Sequence, residues 1–182
     1  MNAMDIPNEE RVVLVDTDDV EIGTMSKSHA HSEGRLHRAF SIFIFNSQGR
    51  LLLQRRAAHK YHSGGLWTNS CCSHPRPGES VPQAASRRLK EELGFTCDLS
   101  PEFNFTYRAI VGEGLIEHEF DHVLFGTYDG PVNPDANEVS DVRWMRMNDL
   151  ADDLRTSPEH YTAWLNVCWP RIWERFMALR RA

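Results

Sequence analysis

The sequence predicts an α/β fold in one domain spanning 1–182. Runs rich in β-branched and aromatic residues, Arg11 to Asp16 and Ala39 to Phe45 among them, read as strands. Val81, Ala84, Ala85, Leu89 and Leu93 recur instead at helical spacing. The chain has 182 residues, 41% of them hydrophobic, which suits one fairly large domain around a real core. A net charge of −6 argues against a general binder of nucleic acid or anionic membrane, although a local basic cluster can still hold an anionic substrate. No apolar run approaches the ~20 residues that cross a bilayer, so no membrane span is expected. Four cysteines, two of them adjacent, make no disulfide framework, and no charged-then-apolar leader opens the sequence. A reducing cytoplasm is the expected compartment, and a monomer or weak homodimer the expected assembly.

Taken in order, residues 1–10 are polar and expected to fray, and Asp18-Asp19 turns the chain after the first strand. The stretch Lys27 to His37 holds His29, His31 and His37 and leads into the strand Ala39 to Phe45. Asn46 to Gly49 is a turn sequence, so Leu51 to Gln54 reads with that strand as a hairpin. The stretch Trp67 to Phe95 organises the rest. Its first half crowds Asn69, Cys71, Cys72 and His74 before Pro-Arg-Pro-Gly, where neither helix nor strand continues easily, so these groups are expected on a loop. Its second half, Ser80 to Leu93, is the helix, with Gly94 placed to cap it.

Phe103 to Val111 and Glu117 to Tyr128 read as strands around a Gly112-Glu113-Gly114 turn. A turn at Asp129 to Asn137 and a strand at Val142 to Met147 precede helices near Asn148 to Arg155 and Ser157 to Arg181. Ser157-Pro158 suits an N-cap and first helical position, and Pro170 is expected to kink the last helix. Its apolar stripe is Leu165, Cys168, Ile172, Phe176 and Leu179, with Trp169 and Trp173 assigned to core packing.

Two charge patterns stand out. Glu91 and Glu92 lie beside the C-terminal carbonyls of the central helix, where carboxylates are electrostatically misplaced unless a cation sits nearby. Glu117 and Glu119 are two apart in a strand and so share a face, where they repel unless something positive lies between them or one stays protonated. Each pair alone is ordinary as a solvated surface. Imidazoles nearby favour a metal, because neutral histidine is a common ligand for borderline divalent ions.

The pattern of Glu79 followed by Arg87-Arg88-Leu89-Lys90-Glu91-Glu92-Leu93-Gly94-Phe95 resembles a Nudix box, with Ser73 where that box usually has glycine and Arg88 where it usually has glutamate. Trp67-Thr68-Asn69-Ser70 followed by Cys72-Ser73-His74-Pro75 is similar to the signature of the type I isopentenyl-diphosphate isomerases. That resemblance implies an α/β/α sandwich of Nudix type with a mixed sheet, and the isomerisation of isopentenyl diphosphate to dimethylallyl diphosphate through a tertiary carbocation. It implies one metal site of His31, His37, His74, Glu117 and Glu119, accepting Mn²⁺, Zn²⁺ or Mg²⁺. A second Mg²⁺ would arrive with the diphosphate on Glu92 and the backbone carbonyl of Cys72. Lys27, Arg56, Lys60 and Arg88 match the basic residues that hold the diphosphate. Cys72 and Glu119 match the proton-transfer pair, with Tyr107 aiding Glu119 and Trp164 stabilising the cation. In this reading Glu119 donates and Cys72 thiolate accepts, or the reverse.

Other classes compete. A diphosphate hydrolase needs a fuller set of glutamates than a helix carrying Arg88 offers. A cysteine hydrolase would use Cys72, His74 and Asn69, but no glycine-rich oxyanion turn adjoins the cysteine. A structural zinc module would use Cys71, Cys72 and His74, although adjacent cysteines lack finger spacing.

Overall fold

The computed structural model describes residues 10–60, 62–112 and 114–181. Of the terminal segment expected to fray, only Glu10 falls within them, and Glu113 of the expected turn falls outside. Strand β1 (Arg11–Val15) pairs antiparallel with β2 (Glu21–Ser26), which runs directly into the short helix α1 (Lys27–Glu33). The intervening turn is held by Asp16, whose Oδ1 accepts from the backbone N–H groups of Asp18 and Val20. Neither β2 nor α1 is expected from the sequence. Both are short: β2 is held by its ladder with β1, and α1 by burial of Ala30 and His31.

The next strands are β3 (His37–Phe45), β4 (Arg50–Arg56), β5 (Trp67–Thr68) and β6 (Cys71–Ser73). The expected hairpin of β3 and β4 pairs only at Phe45 and Leu51. Beyond that point β3 turns to β6, with Ser41 opposite Cys72. The loop expected across the cysteines is therefore incorrect. Cys71–Ser73 is a strand because β3 offers it ladder partners, a long-range contact that turn residues downstream do not reveal.

Helix α2 (Val81–Leu93) has the expected capping: Ser80 forms a capping box with Gln83, and Gly94 ends it at φ 79°. A side chain at 94 would also meet Asn133 O at 2.5 Å, so turn geometry and close approach both require glycine. Strands β7 (Leu99–Ile110) and β8 (Ile116–Thr127) pair antiparallel, and β8 runs parallel to β3 from His37–Glu119 to Phe45–Thr127. Strand β9 (Val139–Arg146) pairs antiparallel with β4 and leads into α3 (Met147–Thr156).

The long C-terminal helix expected from Ser157 is interrupted. Pro158–His160 forms one 3₁₀ turn, and α4 starts only at Ala163 and continues through Pro170 to Leu179. Tyr161 and Thr162 are extended between them because they dock on β5: Trp67 bridges to Tyr161, and Thr162 N–H donates to Trp67 O at 2.9 Å. Leu165, Cys168, Ile172 and Phe176 are buried as a stripe, whereas Leu179 is 45% exposed and does not belong to it. Trp169 and Trp173 are partly buried against the same core.

These elements make a mixed sheet with helices on both faces. Phe40, Ile42 and Ile44 of β3 face Ala84, Ala85, Leu89 and Leu93 of α2, while Phe43 and Phe45 face Leu165, Cys168, Ile172 and Phe176 of α4. Alternation along one strand thus sends its odd and even residues into separate cores.

Candidate active site

Strand β6 separates the two adjacent thiols. Cys71 is buried in the core under α2, while Cys72 faces a cavity lined also by Lys27, Arg56, His62, His74, Tyr107, Glu117, Glu119 and Trp164. Side chains of the preceding residues fix that strand. Ser70 Oγ accepts from Ile44 N–H at 2.8 Å and donates to Leu52 O at 2.7 Å, stitching β3 to β4. Asn69 Nδ2 donates to Ile42 O at 3.1 Å and Cys71 O at 2.9 Å, and its Oδ1 accepts from Trp164 Nε1 at 3.2 Å. One fully buried amide therefore positions both the cysteine strand and the indole of α4. This commits Asn69 to architecture and removes the cysteine-hydrolase arrangement. The structural zinc reading also fails, because Cys71 and Cys72 leave opposite sides of β6.

His31 from α1, His37 from β3, His74 after β6 and Glu119 from β8 converge, with one ligand atom of each within 4.8 Å of the others. His37 Nε2 lies 3.2 Å from His74 Nε2 and 3.6 Å from Glu119 Oε1, and His74 Nε2 lies 3.0 Å from the same oxygen. His37 Nδ1 faces the Arg35 carbonyl at 2.8 Å, which only an N–H there can satisfy, so the ring is fixed with Nε2 toward the cluster. Burial and then the charges of His74 and His37 push the His31 imidazole down to about 2. Burial likewise lowers His74. Neutral imidazoles and a carboxylate aimed at one point are a donor set for a divalent metal, and these residues fit one. Glu117, expected as a fifth ligand, is outside this group, although it lines the same cavity.

Tyr107 Oη lies 2.7 Å from Glu119 Oε2 and 3.0 Å from Glu117 Oε2, bridging the two carboxyl groups of β8. Burial and the charge of Glu119 push Glu117 well above the usual carboxylate range. Glu119 is held well below it, burial being outweighed by the His37 and His74 imidazoles beside it. The pair therefore carries one negative charge, on Glu119. Asp121, two residues further along the same face, is fully buried with Ser41 Oγ donating to it at 2.8 Å; it does not point away from the glutamates as an ordinary polar strand would have it. Burial pushes the Cys72 thiol up far beyond its ordinary range, the nearby Arg56 guanidinium only partly offsetting it, so the sulfur carries its proton.

Beside this cavity, and sharing Lys27, Arg56, Cys72 and Ser73 with it, runs a groove of about 560 Å³. All four expected diphosphate cations, Lys27, Arg56, Lys60 and Arg88, line that groove, as does Glu92. Glu92 is buried and bridges Gln54 Nε2 at 2.9 Å and Arg88 Nη2 at 2.5 Å. Arg56 stands at the junction, its guanidinium 5.2 Å above the Trp164 ring, which shows that this indole face accepts a cation. The remaining box glutamates are occupied: Glu79 is bound by Arg87 Nε and Nη2 at 2.7 Å each, and Glu91 by Arg88 at 2.9 Å. Arginines thus pair with both of these glutamates. His29 bonds Ser26 Oγ at 2.8 Å on α1 and takes no part.

Two residues of the site escaped sequence reasoning. His62 lines the cavity with its Nε2 3.8 Å from Glu117 and its ring edge-on to Trp164 at 6.0 Å. Glu138 lies in the groove against Lys60 and Arg88. Neither sits in a distinctive pattern, and only the folded chain brings them in.

The fold and the box define a class. The NUDIX domain family matches residues 35–165. The crystal structure of DR0079 from Deinococcus radiodurans aligns with a TM-score of 0.75 at 22% identity, covering 89% of this chain and 98% of that one. That of a MutT protein from Methanosarcina mazei Go1 aligns at 0.63 and 18%, covering 81% and 96%. Relatives closer in sequence are narrower. Isopentenyl-diphosphate Delta-isomerase 2 of Aromatoleum aromaticum is 55% identical over 166 residues, 90% of this chain and 87% of the relative. The isopentenyl-diphosphate Delta-isomerase of Burkholderia multivorans is 54% identical over 158 residues, 87% of this chain and 90% of the relative. The chain belongs to the isopentenyl-diphosphate Delta-isomerase family of NUDIX proteins.

Proposed function

We propose that this chain interconverts isopentenyl diphosphate and dimethylallyl diphosphate, moving one carbon–carbon double bond and breaking no bond to phosphorus. The observation that carries the reading is one cavity lined by both Cys72 and Glu119, beside a groove lined by Lys27, Arg56, Lys60 and Arg88. The four cations grip the diphosphate, arginine by paired N–H groups and lysine as a point charge. The hydrocarbon tail then points inward past Arg56.

An unactivated alkene needs a proton on its terminal carbon and, once the tertiary carbocation exists, a base for the proton on the neighbouring carbon. Cys72 holds a proton and Glu119 lacks one, so from this state the thiol is the acid and the carboxylate the base, one of the two directions the sequence left open. One turnover leaves a thiolate and a carboxylic acid. Both must exchange with solvent before the next turnover in the same direction. Tyr107 steadies Glu119, and the buried indole of Trp164 faces the cation without offering a nucleophile. Little water reaches these walls, since Tyr107, His74, Glu119 and Trp164 are all buried.

His31, His37, His74 and Glu119, with Glu117 joining them, would hold Mn²⁺, Zn²⁺ or Mg²⁺, and Glu92 with the Cys72 carbonyl would hold a second Mg²⁺ accompanying the diphosphate. Such cations supply positive charge that compensates buried carboxylates and phosphate oxygens. Among the described residues no helix is long and apolar enough to cross a membrane, and all four cysteines are free thiols. Those free thiols support action in a reducing cytoplasm. The unit proposed to act is one domain spanning 1–182, as a monomer or weak homodimer.

Cys72→Ser and Glu119→Gln test the assignment. Each is expected to abolish isomerisation while binding Mg²⁺-pyrophosphate within a few-fold of the parent, because neither substitution removes a groove cation or the Cys72 carbonyl. Calorimetric binding lost in step with activity would contradict it.

A further inference from the structure

Glu138 occupies an unexpected place. It lies just before β9, where Asp135 locks the turn: Glu138 N–H donates to Asp135 O at 2.9 Å and Asn137 N–H to Asp135 Oδ1 at 2.9 Å. Its own carbonyl accepts from Ala57 N–H at 2.9 Å, at the register shift between β4 and β9, so the backbone is fixed on both sides. The side chain points into the cationic groove. There a single oxygen, Oε2, bonds Lys60 Nζ and also Arg88 Nη2 at 3.1 Å. Against the upward push of burial, Lys60 and Arg88 hold this carboxyl below its usual range, so it is charged. An anionic oxygen bridging two cations from different elements is what a diphosphate oxygen would do in the same place.

We propose that Glu138 is a built-in counter-anion for the diphosphate subsite, a positioning residue that keeps Lys60 and Arg88 aimed into the groove and competes with the diphosphate for them. This rests on the reading of that groove as the diphosphate site. Without Glu138, Lys60 would lose this carboxylate and Arg88 one of the three it bonds, and both would present more positive charge to the ligand. The groove would then hold substrate and product alike more tightly. With it, the incoming diphosphate displaces a carboxylate that returns when the product leaves. Glu92 shares Arg88 but is held also by Gln54 in a buried position, and Glu91 pairs Arg88 together with Arg87, whereas Glu138 is the carboxylate that bonds both Lys60 and Arg88.

The test is calorimetric titration of the full chain with inorganic pyrophosphate in Mg²⁺. Glu138→Gln keeps an acceptor oxygen and removes the charge. It is expected to bind pyrophosphate about tenfold more tightly, the scale of one unit charge a few ångströms away at a partly solvated site. KM for isopentenyl diphosphate should fall and kcat should not rise. Glu138→Asp, which restores the charge, should move affinity back toward the parent. A merely structural Glu138 would give the opposite sign, weaker binding in Glu138→Gln, and that result or an unchanged affinity overturns the proposal. Should Arg88→Gln bind pyrophosphate as tightly as the parent, the reading of the groove falls instead, and the proposal with it.

Discussion

Cys71 and Cys72 are the same chemical group one residue apart, and the strand they lie on gives them opposite fates. Cys71 packs under α2, and Cys72 joins Glu119 and Trp164 at the cavity. Trp164 is fixed beside the reacting end, its Nε1 reaching Asn69 and its face carrying the Arg56 guanidinium. A cation over a desolvated indole is stabilised by about 2 kcal/mol. Trp164→Leu is therefore expected to lower kcat by roughly tenfold or more, with a smaller loss of pyrophosphate affinity through the Arg56 that rests on the ring. Steady-state kinetics beside calorimetry checks this, and a loss confined to KM would remove Trp164 from the reacting end.

At the scale of elements, α2 and β8 carry the site, and each is anchored by the side of it that does no chemistry. Leu89 is fully buried between the arginines and glutamates of α2, facing Phe40 and Ile42 of β3. Leu89→Ala is expected to cost about 2–5 kcal/mol in urea unfolding, through lost apolar burial and the cavity left behind. A loss under 1 kcal/mol would mean that α2 is not held by this face.

The same elements explain what could be read from sequence. α2 was legible because periodicity, capping box and Gly94 agree, and β8 because alternation and the spacing of Glu117 and Glu119 agree. The converging histidines His31, His37 and His74 were legible through resemblance to a family. β6 was not legible, because three residues become a strand only when β3 lies beside them. Nor was the break at Tyr161 and Thr162, which is set by docking on Trp67, or the arrival of His62 and Glu138 from ordinary surroundings.

At the scale of the molecule, the site is a store of buried ionisable groups, and stability should report it. The histidines His31, His62 and His74 have folded values below their ordinary one, so as pH falls through about 6.5 the unfolded chain takes up protons first and stability is lost. Glu117 and Asp121 are raised instead. They keep protons that the unfolded chain has released, so their contribution to stability is lost as pH rises through their folded values. Together these place the maximum near pH 6.5. Urea unfolding of the chelator-treated protein between pH 5 and 9 is expected to give a midpoint that peaks near neutrality, and a midpoint still climbing at pH 9 would contradict it.

The central claim is that a thiol and a carboxylate relocate a double bond while the diphosphate stays whole, and proton NMR of isopentenyl diphosphate incubated with the protein and Mg²⁺ in D₂O tests it most directly. The account predicts dimethylallyl resonances together with deuterium entering the methyl and allylic positions. Free phosphate beside an unchanged vinylidene signal would contradict it.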